Sequence, residues 1–385
     1  MRPEPRWVPA RKLRQAFGFD EIAIAPGDVT MNPDQVNTYF QLGPVTFPIP
    51  ILAAAMDAVG DPEFAILFAK AGGLPILNLE GVQTRYKDAR AVLDEIASAP
   101  QEAVTLLLQK VYSQPIQENL VGERLGAIKQ AGAVCGAAMT PQTSKTLAPL
   151  AVAAGADVVV VQSTVTTARH ISKSYKGLSF AEFCSELKVP VLVGNCVTYS
   201  AALELMETGI AGILVGVGPG AACTTREVLG VGVPQVTATM DCAQAREKFF
   251  RETGRYVSLI TDGGIRNGGD ICKAIACGAD AVMLGSLLAQ AHEAPGRGYH
   301  WGMATPHATL PRGTRIRVGT TGTLEQLLFG PTSLTNGTQN LVGALRTCMG
   351  VLGALTIRDV HKAELVIAPS IKTEGKAFQS VQRPC

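Results

Sequence analysis

The segment GVGPGAACTTR, residues 216–226, is where these 385 residues are richest in chemistry. Gly216, Gly218 and Gly220 let the backbone turn sharply and approach a ligand closely. Cys223 follows on a polar loop with Thr224, Thr225 and Arg226 beside it. A neighbouring cation and oriented amides favour a thiolate, and so a nucleophile. An inert thiol on a flexible loop is the competing reading. DGG (262–264) and LGS (284–286) offer Gly263, Gly264, Gly285 and Ser286 as a phosphate cradle, and Asp262 as an acceptor for a ribose hydroxyl pair. Ordinary turn chemistry is the alternative there. Arg315 and Arg317, two apart, share one face of a strand and could clamp a second phosphate, although a solvated hairpin face is the stronger reading. His292, His300 and His307 lack a metal-ligand spacing.

These residues need positioning, and the chain repeats one grammar for it. Ala-rich helical stretches end at Gly and pass at once into β-branched runs: AGGLPIL (71–77), AGAVCGAA (131–138), AGADVVVV (154–161), TGIAGILV (208–215) and CGADAVML (277–284). Non-alternating runs of this kind read as strands buried on both faces of a parallel sheet. With PILAAA (50–55), VPVLVGN (189–195) and YVSLITDGG (256–264) there are eight candidate strands. Helices are predicted near 62–71, 84–98, 143–154, 199–208 and 269–277. VTLLL (104–108) is a ninth apolar run that reads equally as helix or strand. Eight strand–helix units favour a (β/α)8 TIM barrel in a single domain, 1–385, over an open doubly wound sheet. Its chemistry belongs in the loops after the strands. The stretch 291–340, rich in Gly, Pro and Thr, reads as a loop or lid within that domain.

Composition narrows the partners. Lys+Arg is 34 against Asp+Glu 32, a net charge of +2, with no long basic run. That balance argues against nucleic acid, whose binding rests on neutralising many phosphates. No apolar run of 18 residues and no signal-peptide pattern occur, so neither membrane insertion nor secretion is expected. Nine Cys without a CxxC pair read as reduced thiols of a cytoplasmic protein.

Taken together, FDEIAIAP (19–26), PILAAAMDAV (50–59), VPVLVGNCVT (189–198), the Cys223 segment through 238, DGGIRNGGDICKAIACGADAVMLGSLLA (262–289) and LVGALRTCMGVLGA (341–354) resemble the IMP dehydrogenase/GMP reductase family. The resemblance is strongest to its short members without CBS domains. It implies a TIM barrel, usually a homotetramer, that binds GMP or IMP and a nicotinamide dinucleotide. It implies that Cys223 attacks purine C2 and that Thr225 handles water or ammonia. Met56 would pack on the purine and Asp262 hold the ribose, with Asn195 counted among the substrate residues. Gly264, Gly285, Ser286 and Tyr299 would hold the phosphate. Gly216 and Gly218 would face the nicotinamide. Carbonyls of Gly218, Gly220 and Cys223 would hold a monovalent cation, usually potassium.

Departures from the family pattern set the expected reaction. Residues 82–130 are too few for CBS domains. About 10 residues separate YHWGM (299–303) from RGTRIRVG, and no Arg-Tyr pair for water activation stands there. With MDCA (240–243), this favours an NADPH-dependent GMP reductase. IMP dehydrogenase with NAD is the alternative, followed by a catalytically weak nucleotide-binding regulator. Arg312 stands where reductases carry a Glu, Ala221 where the phosphate loop has Ser, and Gln162 where dehydrogenases have an Asp for the cofactor ribose.

Overall fold

The computed structural model describes residues 13–171, 177–302 and 314–368. The five apolar runs after a helix-ending Gly and the three further runs all become parallel strands. They are β1 (Ile51–Ala53), β2 (Leu74–Asn78), β3 (Gly136–Met139), β4 (Val158–Gln162), β5 (Val191–Cys196), β6 (Gly212–Val215), β7 (Ser258–Asp262) and β8 (Ala281–Leu284). Each pairs in parallel with the next, and β8 returns to β1 through Val282 opposite Ile51, so the sheet closes as a (β/α)8 barrel. Most strands are shorter than the segments quoted above, which for the five Gly-led runs begin in the preceding helix turn. Gly72, Gly155, Gly209 and Gly278 stand at these turns with positive φ.

Local signals position the helices. Asp61 caps Pro62–Lys70 by accepting from the Phe64 amide at 2.8 Å, with Pro at the first helical position. Thr198 and Asn267 cap Tyr199–Met206 and Gly268–Ala276 in the same way. The helix expected over 84–98 is two, Val82–Arg85 and Ala89–Ser98. The ambiguous run at 104 is the helix Val104–Tyr112, whose Val104, Leu108, Val111 and Tyr112 are buried with Leu93, Ile96 and Trp301.

Leu52, Ile76, Val158, Val160, Leu192, Leu214, Ile260 and Met283 fill the barrel interior. Its lower end is plugged by a hairpin that periodicity did not reveal, Phe40–Leu42 with Val45–Phe47. Ser258 Oγ, at the start of β7, donates to the Gln41 carbonyl at 2.9 Å and ties plug to barrel. The stretch 291–340 carries regular structure where it is described: β9 (Tyr299–His300) pairs antiparallel with β10 (Ile316–Arg317), and Leu324–Phe329 is a helix. Arg312 and His307 lie outside the described residues.

Candidate active site

The loops after the strands enclose a cavity of about 660 Å³ at the barrel's C-terminal mouth. It brings together Met56, Gln162, Asn195, Gly216, Gly218, Gly220, Cys223, Thr225, Asp262, Gly264, Gly285 and Ser286. It also admits residues that spacing did not single out, among them Thr140, Ser163 and Gln290.

The cysteine loop leaves β6 through Gly216, whose φ is +153°. A Cβ there would lie 2.1 Å from the Asp262 carbonyl oxygen, so only glycine lets the ends of β6 and β7 approach this closely. Gln235 staples the same two ends, donating to the Val215 and Asp262 carbonyls at 2.8 and 2.9 Å. Further along, the Cys223 amide donates to the Gly220 carbonyl at 3.0 Å, closing a turn that presents the thiol. Cys223 Sγ lies 3.2 Å from the hydroxyl of Thr225, the buried first residue of the helix Thr225–Leu229. Arg226 braces this loop: its guanidinium donates to the Val233 carbonyl at 2.8 Å and its stem lies over Gly218.

Asp262 ends β7 facing the cavity. Asn195 Nδ2 and Gln162 Nε2 both donate to its Oδ2, at 2.7 and 3.0 Å. Gln162 Nε2 also reaches Asn195 Oδ1 at 2.9 Å. Burial pushes the Asp262 carboxyl up to about 6, against the downward pull of Asn195 and Gln162. Gln162, expected on the cofactor side, has its amide committed to the carboxylate expected to hold ribose.

At the opposite wall Gly285 lies under Met56; a Cβ on Gly285 would meet Met56 Sδ at 2.8 Å. Ser286 Oγ is 3.0 Å from His300 Nε2. Consecutive residues of a strand face opposite ways, and this separates His300 from Tyr299. His300 lines the cavity, while Tyr299 packs on the Leu93–Trp301 cluster beneath the Arg315 guanidinium, 4.5 Å from its ring centre. Tyr299, expected at the phosphate, is therefore not among the residues lining this cavity, whereas His300 is. Arg315 does not share an open face with Arg317: it is buried and donates to the Ile96 and Ala97 carbonyls, whereas Arg317 is exposed.

A buried chain of polar groups supports this wall. Trp301 Nε1 donates to Tyr112 Oη at 2.7 Å, and Tyr112 donates to Asp57 Oδ2 at 2.5 Å. Asp57 follows Met56 and Trp301 follows His300, so the network ties two cavity residues to the helix Val104–Tyr112. Burial drives the Asp57 carboxyl up to about 6 and the Tyr112 hydroxyl well above its usual range.

Thr140 and Ser163 line the cavity's far side and also a second cavity of about 200 Å³ with Thr166, His170 and Phe180. The two cavities share these two residues as wall. Among the described residues no group of three His, Cys, Asp or Glu could hold a metal ion. No helix among them is long and apolar enough to cross a membrane.

Comparison with known proteins agrees with this geometry. Residues 16–376 match the family model described as IMP dehydrogenase / GMP reductase domain. The chain is 40% identical to an uncharacterized oxidoreductase of Mycobacterium leprae, over 93% of this chain and 98% of that one. It is 30% identical to the inosine-5'-monophosphate dehydrogenase of Cryptosporidium parvum, over 95% and 94% of the two chains. The crystal structure of an IMP dehydrogenase/GMP reductase-like protein from Corynebacterium glutamicum superposes with a TM-score of 0.88 at 35% identity, covering 93% of this chain and 95% of that chain. A closed barrel with a cysteine loop after its sixth strand, matched over almost its whole length, makes this chain a member of the IMP dehydrogenase/GMP reductase family of oxidoreductases.

Proposed function

We propose that the chain is a purine-nucleotide oxidoreductase that works through a covalent bond between Cys223 and C2 of the base. The observation that carries this reading is Cys223 Sγ, 3.2 Å from Thr225 Oγ1, in one cavity with Asp262 and Ser286. Asp262, held by Asn195 and Gln162, accepts from the ribose hydroxyls. Gly264, Gly285 and Ser286 take the 5'-phosphate. Met56 packs against the purine. The Cys223 thiolate adds to C2 and makes that carbon tetrahedral. From IMP, C2 then gives up a hydride; from GMP, it gives up ammonia. Both leave the same thioimidate on Cys223. Water released on it gives XMP and the free thiol, while a hydride delivered to C2 gives IMP and the free thiol. A nicotinamide dinucleotide supplies or accepts that hydride when bound, and the hydroxyl-lined space past Thr140 and Ser163 fits it. The carbonyls of Gly218, Gly220 and Cys223 would hold a potassium ion that braces the loop, and the Gly220 carbonyl, accepting from the Cys223 amide, keeps a lone pair for it.

Two directions are open to this thioimidate. Oxidation of IMP with NAD is favoured by the Cryptosporidium parvum relative, an inosine-5'-monophosphate dehydrogenase that matches end to end. Reduction of GMP with NADPH is favoured by the short connection after residue 303, which lacks an Arg-Tyr pair. Incubation with IMP plus NAD, and separately GMP plus NADPH, with nucleotides resolved by chromatography, decides between them. XMP in the first or IMP in the second names the reaction. No product in either, with tight nucleotide binding, leaves a regulator. We further propose a cytoplasmic homotetramer, to be checked by fractionation and by light scattering.

A further inference from the structure

His300 is 2% exposed, yet its ring lines the cavity. Nε2 faces Ser286 Oγ at 3.0 Å, and Nδ1 is buried with no partner among the described residues. Burial lowers its pKa to about 4, so the ring is neutral at neutral pH. Among the described residues, the charged groups on the elements around it are committed elsewhere or exposed. Arg315 serves the Ile96 and Ala97 carbonyls, Arg297 pairs with Asp94, and Asp57 is bonded by Tyr112. Glu293 accepts from the Leu324 amide, and His292 and Arg317 are exposed. Across the cavity, Arg266 pairs with Asp20 and Asp270 while Asp262 holds Asn195 and Gln162. A neutral imidazole with spare proton capacity thus stands behind the Ser286 hydroxyl.

We propose that Ser286 and His300 form a proton-coupled anion site, in which His300 takes up one proton from solvent as the dianionic phosphate of a nucleotide binds through Ser286. The physics is a reversal of the burial effect. No described residue offers a charged ring a counter-charge, and desolvation keeps the ring neutral. A dianion at Ser286 supplies the counter-charge in a poorly screened cavity, where attraction between opposite charges is strong. With Nε2–H donating to Ser286 Oγ, the serine hydroxyl is free to donate to a phosphate oxygen. Nδ1 carries the added proton. A neutral or singly charged group at this wall draws the proton less, so the site selects for the dianion.

The inference rests on the nucleotide reading of the cavity, and one experiment separates the two. IMP and GMP are titrated calorimetrically into the full chain at pH 7.5, in buffers of different ionisation enthalpy. At that pH the ligand phosphate and Asp262 are already ionised. The expected result is net proton uptake on nucleotide binding, lost in His300→Gln and in His300→Tyr. Affinity is expected to weaken by up to about tenfold per pH unit on the alkaline side. Binding without proton uptake in the unaltered protein overturns the coupling and leaves the nucleotide reading standing, whatever the variants do. Uptake that survives in a folded His300→Gln protein overturns the assignment to His300. Failure of either nucleotide to bind overturns both readings.

Discussion

Asn195 and Gln162, from adjacent strands β5 and β4, donate to the same oxygen of Asp262, at 2.7 and 3.0 Å. The carboxylate is thereby oriented by the protein itself, and in the proposed reaction its other oxygen accepts from the ribose hydroxyls. Loss of a hydrogen bond to a charged group costs about 1.5–3 kcal/mol. Gln162→Ala is therefore expected to weaken nucleotide binding roughly 10- to 100-fold, measured by direct titration. An effect confined to the dinucleotide KM would return Gln162 to the cofactor side.

Cys223→Ala removes the proposed nucleophile but little volume from the cavity. Turnover should drop by on the order of 10³-fold or more, with nucleotide affinity nearly retained. Thr225→Val should lower kcat about 100-fold and leave KM close to its original value, because its hydroxyl serves the thiol and the proton traffic around it. Mass spectrometry of acid-quenched mixtures should find a purine adduct on the Cys223 peptide. Product accumulating in Cys223→Ala at the original rate would end the covalent account.

Gly216→Ala should destabilise the barrel by about 3 kcal/mol, since its Cβ would meet the Asp262 carbonyl oxygen at 2.1 Å and Gln235 Nε2 at 2.9 Å on a positive-φ backbone. Gly254→Ala is the informative contrast. Its φ of +71° is also left-handed, but nothing lies within 4 Å of the added carbon, so about 1 kcal/mol is expected. Equal melting temperatures for the two variants would show that the β6–β7 approach is not tight.

Asp57 links stability to pH. Its carboxyl rises from 3.8 to about 6 on folding, so between those values the folded chain binds more protons than the unfolded one. Stability from this group is accordingly greatest below pH 4, falls through that window and is level above it. The full loss is on the order of 3 kcal/mol. Asp57→Asn, which still offers Tyr112 an acceptor, should flatten this part of the profile and melt no lower than the original protein at pH 8. Tyr112→Phe should melt lower at every pH, because it leaves Trp301 Nε1 without an acceptor and removes a donor from Asp57. Thermal melts from pH 4 to pH 8 check all three proteins.

The barrel was legible because its signal is local and repeated. A helix must end where Gly takes positive φ, and a run such as Val158–Val161 can be buried on both faces only inside a covered parallel sheet. The cysteine loop was legible for a similar reason, since its glycines and polar neighbours are contiguous in the chain. Pairings between distant segments were not. Nothing near Gln162 announces that its amide will meet Asp262, 100 residues on. Nothing in VTLLL distinguishes helix from strand until Tyr112 meets Asp57 and Trp301. In YHW, either neighbour could have faced the cavity. The pairing of Tyr299 with Arg317 and His300 with Ile316, and the packing of Tyr299 under Arg315, turned the histidine inward. Sequence determined which elements form and which loop carries the thiol, because backbone preference and hydrophobic period act over a few residues. Tertiary structure alone decided which polar atoms meet in the cavity, because a strand's two faces are equivalent until something packs against one of them.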